Sequence, residues 1–590
     1  MRFPMLIAIF SAAVALHAQV AQTGATPPAV PNPKGRLEGR VLSSATGEPV
    51  RKATLRLRMV GTVGIATGPA DNSTMVGTSD AEGKFVFEEV DAGRYSLSAE
   101  RSGFVQQTYN ARSGRGATPL TFDAGQQIKD IVFKLVPQAV ISGKVVDEDG
   151  DPIQRVQIQA LRYVYNLGKR QLMPTGGVSS NPDGTFMIGN LAAGRYYLAA
   201  TEMRAAMMGE RTTAKGPVEG YVMTYFPSAI DASAAAPVDI IAGQELRGMD
   251  IRMRKQPVYS IRGTISAPAP AKNVMLMLVP TANQATFMMG RNNAMVREKD
   301  GGFEFSNVAP GTYLIQSQNV RINGENSAPL VARHEVTVGD HNIEDLVVAL
   351  SPMLELSGTI KIEGGDWNAG VQQAQQRSAA ANGTAAPGTP GSSRPQPTVQ
   401  LMVSQGGIAF NGAPNARAAD DGTFQVKNVA PEKYRVSVFG IPDGTYVKSI
   451  RFGGQDVARS DLDLTSGSGG QIEVLISPNA ADLSGVVRDS NGASMAGVMI
   501  TMWNPANEFE PPKGAGADQN GAFKIRNVAP GDYKLIAWED LEPGLAQNPD
   551  FRKRFDTQAI SVSLKDNSHE SVEVKVTPKD VIDVEVAKVK

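Results

Sequence analysis

A five-fold repetition constrains this 590-residue chain more than any other feature. The tripeptides Gly83-Lys84-Phe85, Gly184-Thr185-Phe186, Gly301-Gly302-Phe303, Gly422-Thr423-Phe424 and Gly521-Ala522-Phe523 each open a short run of alternating apolar and polar residues. Ten residues after each Phe stands a Tyr: Tyr95, Tyr196, Tyr313, Tyr434 and Tyr533. A fixed spacing kept through five copies marks a tandem-repeat architecture. Period-two alternation puts Phe85 with Phe87, and Phe186 with Ile188, on the buried side of a strand.

Each copy has two further parts. An opening strand (37–43, 140–146, 259–265, 354–362, 483–488) carries a glycine at a constant place: Gly39, Gly143, Gly263, Gly358 and Gly485. Glycine inside a strand points to a bulge or to the close approach of another backbone. Before the tyrosine comes a turn, clearest in Asn307-Val308-Ala309-Pro310-Gly311 and Asn527-Val528-Ala529-Pro530-Gly531, where Pro then Gly is turn chemistry. Tyr95, Leu97 and Ala99 then share one face. A Tyr at a strand entry buries its ring and ties its hydroxyl to backbone. A closing strand ends at Pro137, Pro257, Pro352, Pro478 or Pro578, because proline cannot continue a central ladder.

Seven or so short strands in about 100 residues, separated by turns, predict an antiparallel β-sandwich. The fold class expected is therefore all-β, a tandem array of five β-sandwich domains. The expected boundaries are 35–137, 138–257, 258–352, 353–478 and 479–578, followed by a C-terminal tail at 579–590. Two inserts interrupt the pattern. One, 203–237, contains Met207, Met208 and the aromatics Tyr221, Tyr225 and Phe226; the other, 369–397, is rich in Gln, Ala, Gly, Ser and Pro and is expected to be a disordered loop.

The stretch Gly143-Lys144-Val145-Val146-Asp147-Glu148-Asp149-Gly150-Asp151-Pro152, the Asp-Gly-x-Phe turn and the Val-x-Pro-Gly-x-Tyr turn resemble the carboxypeptidase regulatory-like domain family. The resemblance covers almost everything after residue 35 and implies a transthyretin-like (prealbumin-like) sandwich, akin to starch-binding and collagen-adhesin B-type domains. Longer stretches around Tyr446-Val447-Lys448 and Trp538-Glu539-Asp540 resemble large secreted proteins of soil acidobacteria. The third copy departs from the pattern, with Ala267-Pro268-Ala269-Pro270 in place of the Asp-Gly turn. Such domains serve many proteins as accessories, so the resemblance speaks to fold rather than to activity.

The N-terminus has the form of an export signal. Arg2 precedes an apolar run at 5–16, too short to span a bilayer, and small residues follow. Cleavage is expected near Ala18-Gln19, giving a signal peptide at 1–18, with Ala13-Val14-Ala15 as the alternative site. Residues 19–34 are expected to form a flexible leader. The chain has no cysteine, which excludes disulfides and a lipoprotein anchor. An exported protein is expected, periplasmic or extracellular, with no membrane span.

Composition narrows the chemistry. Formal charge is −1, with no basic footprint for nucleic acid. His341-Asn342-Ile343-Glu344 matches a zinc-binding His-x-x-Glu, but outside the expected signal peptide only His334 and His569 remain as a third ligand. Asp147, Asp149 and Asp151 surround Gly150 without the distal carboxylate of a calcium loop. Lys144 and Lys361 lie on opening strands, yet the second and fourth closing strands carry no Asn for an isopeptide bond; Asn479 falls just past Pro478. No nucleophile elbow or dinucleotide fingerprint occurs. The expectation is a non-enzyme with no catalytic residues, cofactor or metal.

Trp503, Phe509 and Trp538 are the candidate ligand platform. By alternation both Trp point away from the sandwich face formed by Ile500, Met502, Tyr533 and Leu535. The function expected is a binding or adhesion module for polysaccharide. The rival is a stiff spacer or a scaffold for an envelope protein.

Overall fold

The computed structural model describes residues 33–588 except 60–73, 110–118, 167, 203–217, 268–272, 282–291, 322–327, 366–395, 405–411, 468, 508 and 543. The signal peptide, almost all of the leader, nearly all of the insert at 369–397, Met207, Met208 and Trp367 lie outside the described residues.

The chain is all-β, and one pairing scheme recurs. The opening strand Gly35–Ser43 runs antiparallel to the Gly-x-Phe strand Lys84–Val90 on one side and parallel to the closing strand Gln127–Leu135 on the other. Lys255–Ser266, Leu354–Ile362 and Ala481–Arg488 have the same two kinds of neighbour. In the second repeat the parallel partner is split into Glu245–Leu246 and Ile251–Arg252. A second sheet holds the tyrosine strand: Gly93–Glu100 pairs with Thr54–Met59, which pairs with Thr74–Thr78.

The repeated glycines have a packing reason. A Cβ at Gly39 would stand 2.2 Å from the main-chain oxygen of Ile131, and one at Gly263 would stand 2.0 Å from that of Leu346. At Gly39 the parallel register slips, so the two backbones touch where the side chain is missing.

The repeated tyrosines are equally consistent. The Tyr196 hydroxyl donates to the carbonyl of Ala192 at 2.7 Å, and Tyr313, Tyr434 and Tyr533 donate to Ala309, Ala430 and Ala529 at 2.9, 2.9 and 2.8 Å. Burial pushes the Tyr434 and Tyr533 hydroxyls well above the usual phenol range. The turn before each tyrosine holds a left-handed residue: Glu89, Asn190, Asn307, Asn428 or Asn527, each at φ near +58°.

Among the described residues, five hydrophobic clusters each draw on one repeat, centred on Leu37 and Phe133, Ile141 and Tyr196, Ile261 and Phe305, Leu356 and Tyr434, and Leu483 and Tyr533. In the third repeat Leu276 and Leu278 enter the sandwich core, whereas Met277 turns to a small cluster with Val279 on the opposite face.

Successive repeats are tied together by main chain and by side chains. Gln138 N–H donates to Gly103 O at 3.0 Å across the first junction. Val218–Tyr221, from the second repeat's insert, adds as a strand to Lys255–Ser266 of the third. Arg333 pairs with Glu432 at 2.8 Å between the third and fourth. Glu432 stands where the other repeats have Gly93, Gly194, Gly311 and Gly531, so one departure from the repeat makes an inter-repeat ion pair. Between the fourth and fifth, Gly444 N–H donates to the Asn527 side chain at 2.9 Å and Arg526 meets Asp443 at 3.3 Å.

One expectation needs correction. The second closing strand does not run up to Pro257: it ends at Arg252, and Pro257 lies inside the next strand, Lys255–Ser266, opposite Glu219 of the second repeat, just before pairing with the third repeat begins at Tyr259. The C-terminal tail begins as an α-helix, Lys579–Val586, that buries Ile582. A stiff spacer in the form of a simple rod is not what the contacts describe, since the fifth repeat touches the first and second. The Gln519 amide accepts from Thr121 N–H at 3.2 Å and donates to Thr121 O at 3.0 Å.

Candidate functional site

The expected aromatic platform is not assembled. Trp538 is 0% exposed and Trp503 5%, while Phe509 is 45% exposed. Alternation does turn both Trp away from the sandwich core. A second layer then covers them: the helix α1 (Pro549–Lys553), a 3₁₀ turn at Leu545–Gln547, and α2 (Lys579–Val586). Trp538 packs edge-on against Phe555 at 4.9 Å between centroids and against Phe551 at 5.7 Å, and its indole N–H donates to Thr501 Oγ1 at 2.9 Å. Neither indole therefore offers a face to a sugar ring. Phe509 stands apart, with the Arg435 guanidinium of the fourth repeat 5.8 Å from its ring centre.

The metal-like motifs have structural uses. Glu344 is engaged by Arg262 at 2.9 Å, and His341 meets Asp340 at 2.9 Å. Asp147 accepts from the backbone N–H groups of Asp149 and Asp151 at 3.0 and 2.8 Å, closing its turn. Asp489 and Asp518 close equivalent turns in the fifth repeat. Among the described residues no group of three or more His, Asp or Glu is placed to hold a metal ion. Among the same residues no helix is long and apolar enough to cross a membrane.

The candidate site lies instead at the junction of the first two repeats. A cleft of about 350 Å³ is lined by Lys52, Thr54, Glu100, Arg101, Ser102, Phe104, Gln106 and Asn190. Local structure explains why these residues meet. Thr54 and Glu100 are paired across adjacent strands. The loop after Glu100 is fixed to the linker, since Phe104 N–H bonds Arg101 O, Val105 N–H bonds Val136 O and Gln138 N–H bonds Gly103 O. Lys52 and Asn190 both sit in the left-handed region, at φ +56° and +57°. Asn190 comes from the second repeat's tyrosine turn, directly before Leu191, which pairs with Ala139 beside the linker.

The electrostatics are mixed. The Arg56 guanidinium, 2.8 Å from Glu100, holds that carboxyl below the usual carboxylate range. The cleft thus presents one neutralised carboxylate, two cations, two planar amides, two hydroxyls and the ring of Phe104. The set can donate and accept hydrogen bonds in several directions at once. Nothing in the sequence pattern singled these residues out as a set, because they come from two repeats, and only Asn190 occupies a repeated position, in the tyrosine turn.

Residues 36–135 match the model of the carboxypeptidase regulatory-like domain. No curated protein matches the chain. Among solved structures, the chain is similar to the TIE protein of Bacillus anthracis at 12% identity, covering 74% of this chain and 73% of that one, with a TM-score of 0.15. It is also similar to a streptococcal ancillary pilin at 13% identity, covering 54% of this chain and 99% of that one, with a TM-score of 0.19. The minor pilin of Streptococcus agalactiae matches at 14% identity over 38% of this chain and 97% of that one, with a TM-score of 0.22.

Proposed function

We propose that this chain is an exported, non-catalytic binding module whose ligand is a carbohydrate, held in the cleft between the first and second repeats. The cleft is the observation that carries the reading. Each sugar hydroxyl both donates and accepts, so its recognition calls for amides, carboxylates and cations set at fixed angles. Asn190, Gln106, Glu100, Lys52 and Arg101 supply them, and Phe104 adds an apolar wall. The loop bearing Arg101 and Gln106 is held by main-chain bonds to the linker, so little ordering is needed on binding.

The test is an array of plant, fungal and bacterial glycans, followed by titration of any hit against the intact protein. The combined variant Lys52→Ala, Arg101→Ala, Asn190→Ala should lose at least about tenfold in affinity, equivalent to one lost polar contact of about 1.4 kcal/mol. Absence of binding across the array, or undiminished binding by the variant, overturns the reading.

A second reading, a scaffold for proteins of the cell envelope, is favoured by the strand that the second repeat's insert lends to the third. A strand shared between repeats fixes their orientation, which suits a surface that several repeats must present together. Capture of an envelope protein that survives the cleft variant would support it over the first.

A further inference from the structure

In the fifth repeat, the chain between the tyrosine strand Gly531–Trp538 and the strand Ile560–Leu564 carries the 3₁₀ turn Leu545–Gln547 and the helix α1. It is built around contacts with the second repeat. Tyr165, at the tip of the hairpin formed by Val156–Asn166 and Lys169–Ser179, is buried in the same cluster as Trp503, Trp538, Leu545, Phe551 and Phe555. Two glycines allow the backbones to meet. A Cβ at Gly544 would lie 1.9 Å from Tyr165 O, and one at Gly168 would lie 2.9 Å from the Asn548 Cα. Both glycines are left-handed, at φ +82° and +76°. The Asn548 side chain does two jobs: its oxygen caps α1 by accepting from Phe551 N–H at 3.0 Å, and its Nδ2 donates to Gly168 O at 2.9 Å. Glu542 sits within the fields of Arg162 and Arg170 of the second repeat. Beside this contact, Gln519 holds both main-chain groups of Thr121 in the first repeat.

We propose that the stretch of the fifth repeat from Gly544 to Ala559 is an intramolecular docking element whose partner is the hairpin tip at Tyr165 and Gly168, and that this contact closes the tandem chain into a ring. Each successive pair of repeats is tied, and the fifth returns to the first two, so the closure is a loop of contacts rather than a single touch. The geometry is specific: an apolar ring enters a cluster of rings, two glycines interlock, and one amide serves both sides. Linkage through the chain makes the encounter intramolecular, which raises its effective concentration and lets modest contacts hold. Closure also restrains the first and second repeats against each other, because the fifth touches both.

The absence of cysteine makes a direct test simple. The full chain with Glu88→Cys and Asp580→Cys, spin-labelled, should give a narrow distance distribution, and X-ray scattering should give a compact particle. Gly168→Arg, on a hairpin tip outside the sandwich core, should shift that distribution to longer, broader distances and enlarge the maximum dimension. Gly544→Arg should do the same from the other side of the contact. A broad distribution in the parent, or unchanged distances and scattering in both folded variants, overturns the proposal. Glycan binding is a separate readout, so failure of the carbohydrate reading leaves this test intact.

Discussion

Tyr533 shows what one repeated position contributes. Its ring is buried in the sandwich core and its hydroxyl bonds Ala529 O at 2.8 Å. Tyr533→Phe removes one partly buried hydrogen bond, to Ala529 O, and should cost about 1 kcal/mol. Tyr533→Ala also opens a cavity and should cost about 3–5 kcal/mol. Urea unfolding followed by Trp fluorescence will separate the two, and an alanine variant as stable as the parent would place the residue outside the core. Gly263→Ala is a sharper case: the new Cβ would meet Leu346 O at 2.0 Å, and the strand would have to part from its parallel neighbour. A loss of about 1–3 kcal/mol or more is expected from such overpacking. Asp463 supplies a pH effect. Hydrogen bonds from Thr465, then Lys433, hold its carboxyl down to about 2. Because the folded value lies below the unfolded one, near 4, its stabilising contribution is complete above about pH 4 and is lost as pH falls through about 2. Asp463→Asn should flatten the acid limb of unfolding in that window, and an unchanged limb would show that the contacts do not persist in solution. These glycines and tyrosines were legible in the sequence because each answers to its own strand and turn. The cleft residues were not, because Lys52 and Asn190 become neighbours only when two repeats dock.

At the scale of elements, strands were legible and helices were not. Period-two alternation recurs in every copy, and it even turned Trp503 and Trp538 to the correct face. The covering layer escaped because α1 has five residues and α2 has eight, too short to display a helical period or to stand alone. Their stability has to come from what they cover, the cluster around Trp538 and Phe555. Trp538→Ala should therefore release α1 and α2 together while the sandwich core around Leu483 and Tyr533 survives. Limited proteolysis should cut first within 539–559, and a loss of about 3–5 kcal/mol is expected for removing so large a buried side chain. Resistance equal to the parent would mean that the helices are held by something else. The exposed Phe509 marks the other limit of pattern reasoning: alternation sets which way a strand residue points, whereas a residue in a Pro-rich loop has no such rule.

Across the whole molecule, contacts between residues some 400 positions apart decide whether the repeats behave singly. Thr121 and Gln519 are 398 apart, and Gly168 and Asn548 are 380 apart. No sequence period can announce such pairs, so the stiff spacer weighed as the rival reading could not be judged from the sequence. Five separate cores, taken alone, predict that each repeat melts by itself. The contacts of the fifth repeat with the first and second predict otherwise, because unfolding the fifth strips both of a partner, and sites that share contacts are energetically coupled. In calorimetry of the full chain, Tyr533→Ala should therefore lower the transition of the fifth repeat and, more weakly, those of the first and second. The third repeat, joined to the fourth through Arg333 and Glu432, should move least. Gly168→Arg alone should lower the transitions of both the second and the fifth repeat, and Tyr533→Ala added to it should then leave the second unmoved, since the contact that transmits the effect is broken. If the first and second repeats keep the parent's melting temperature in Tyr533→Ala alone, then the ring contacts carry no measurable energy and the five sandwiches are independent beads.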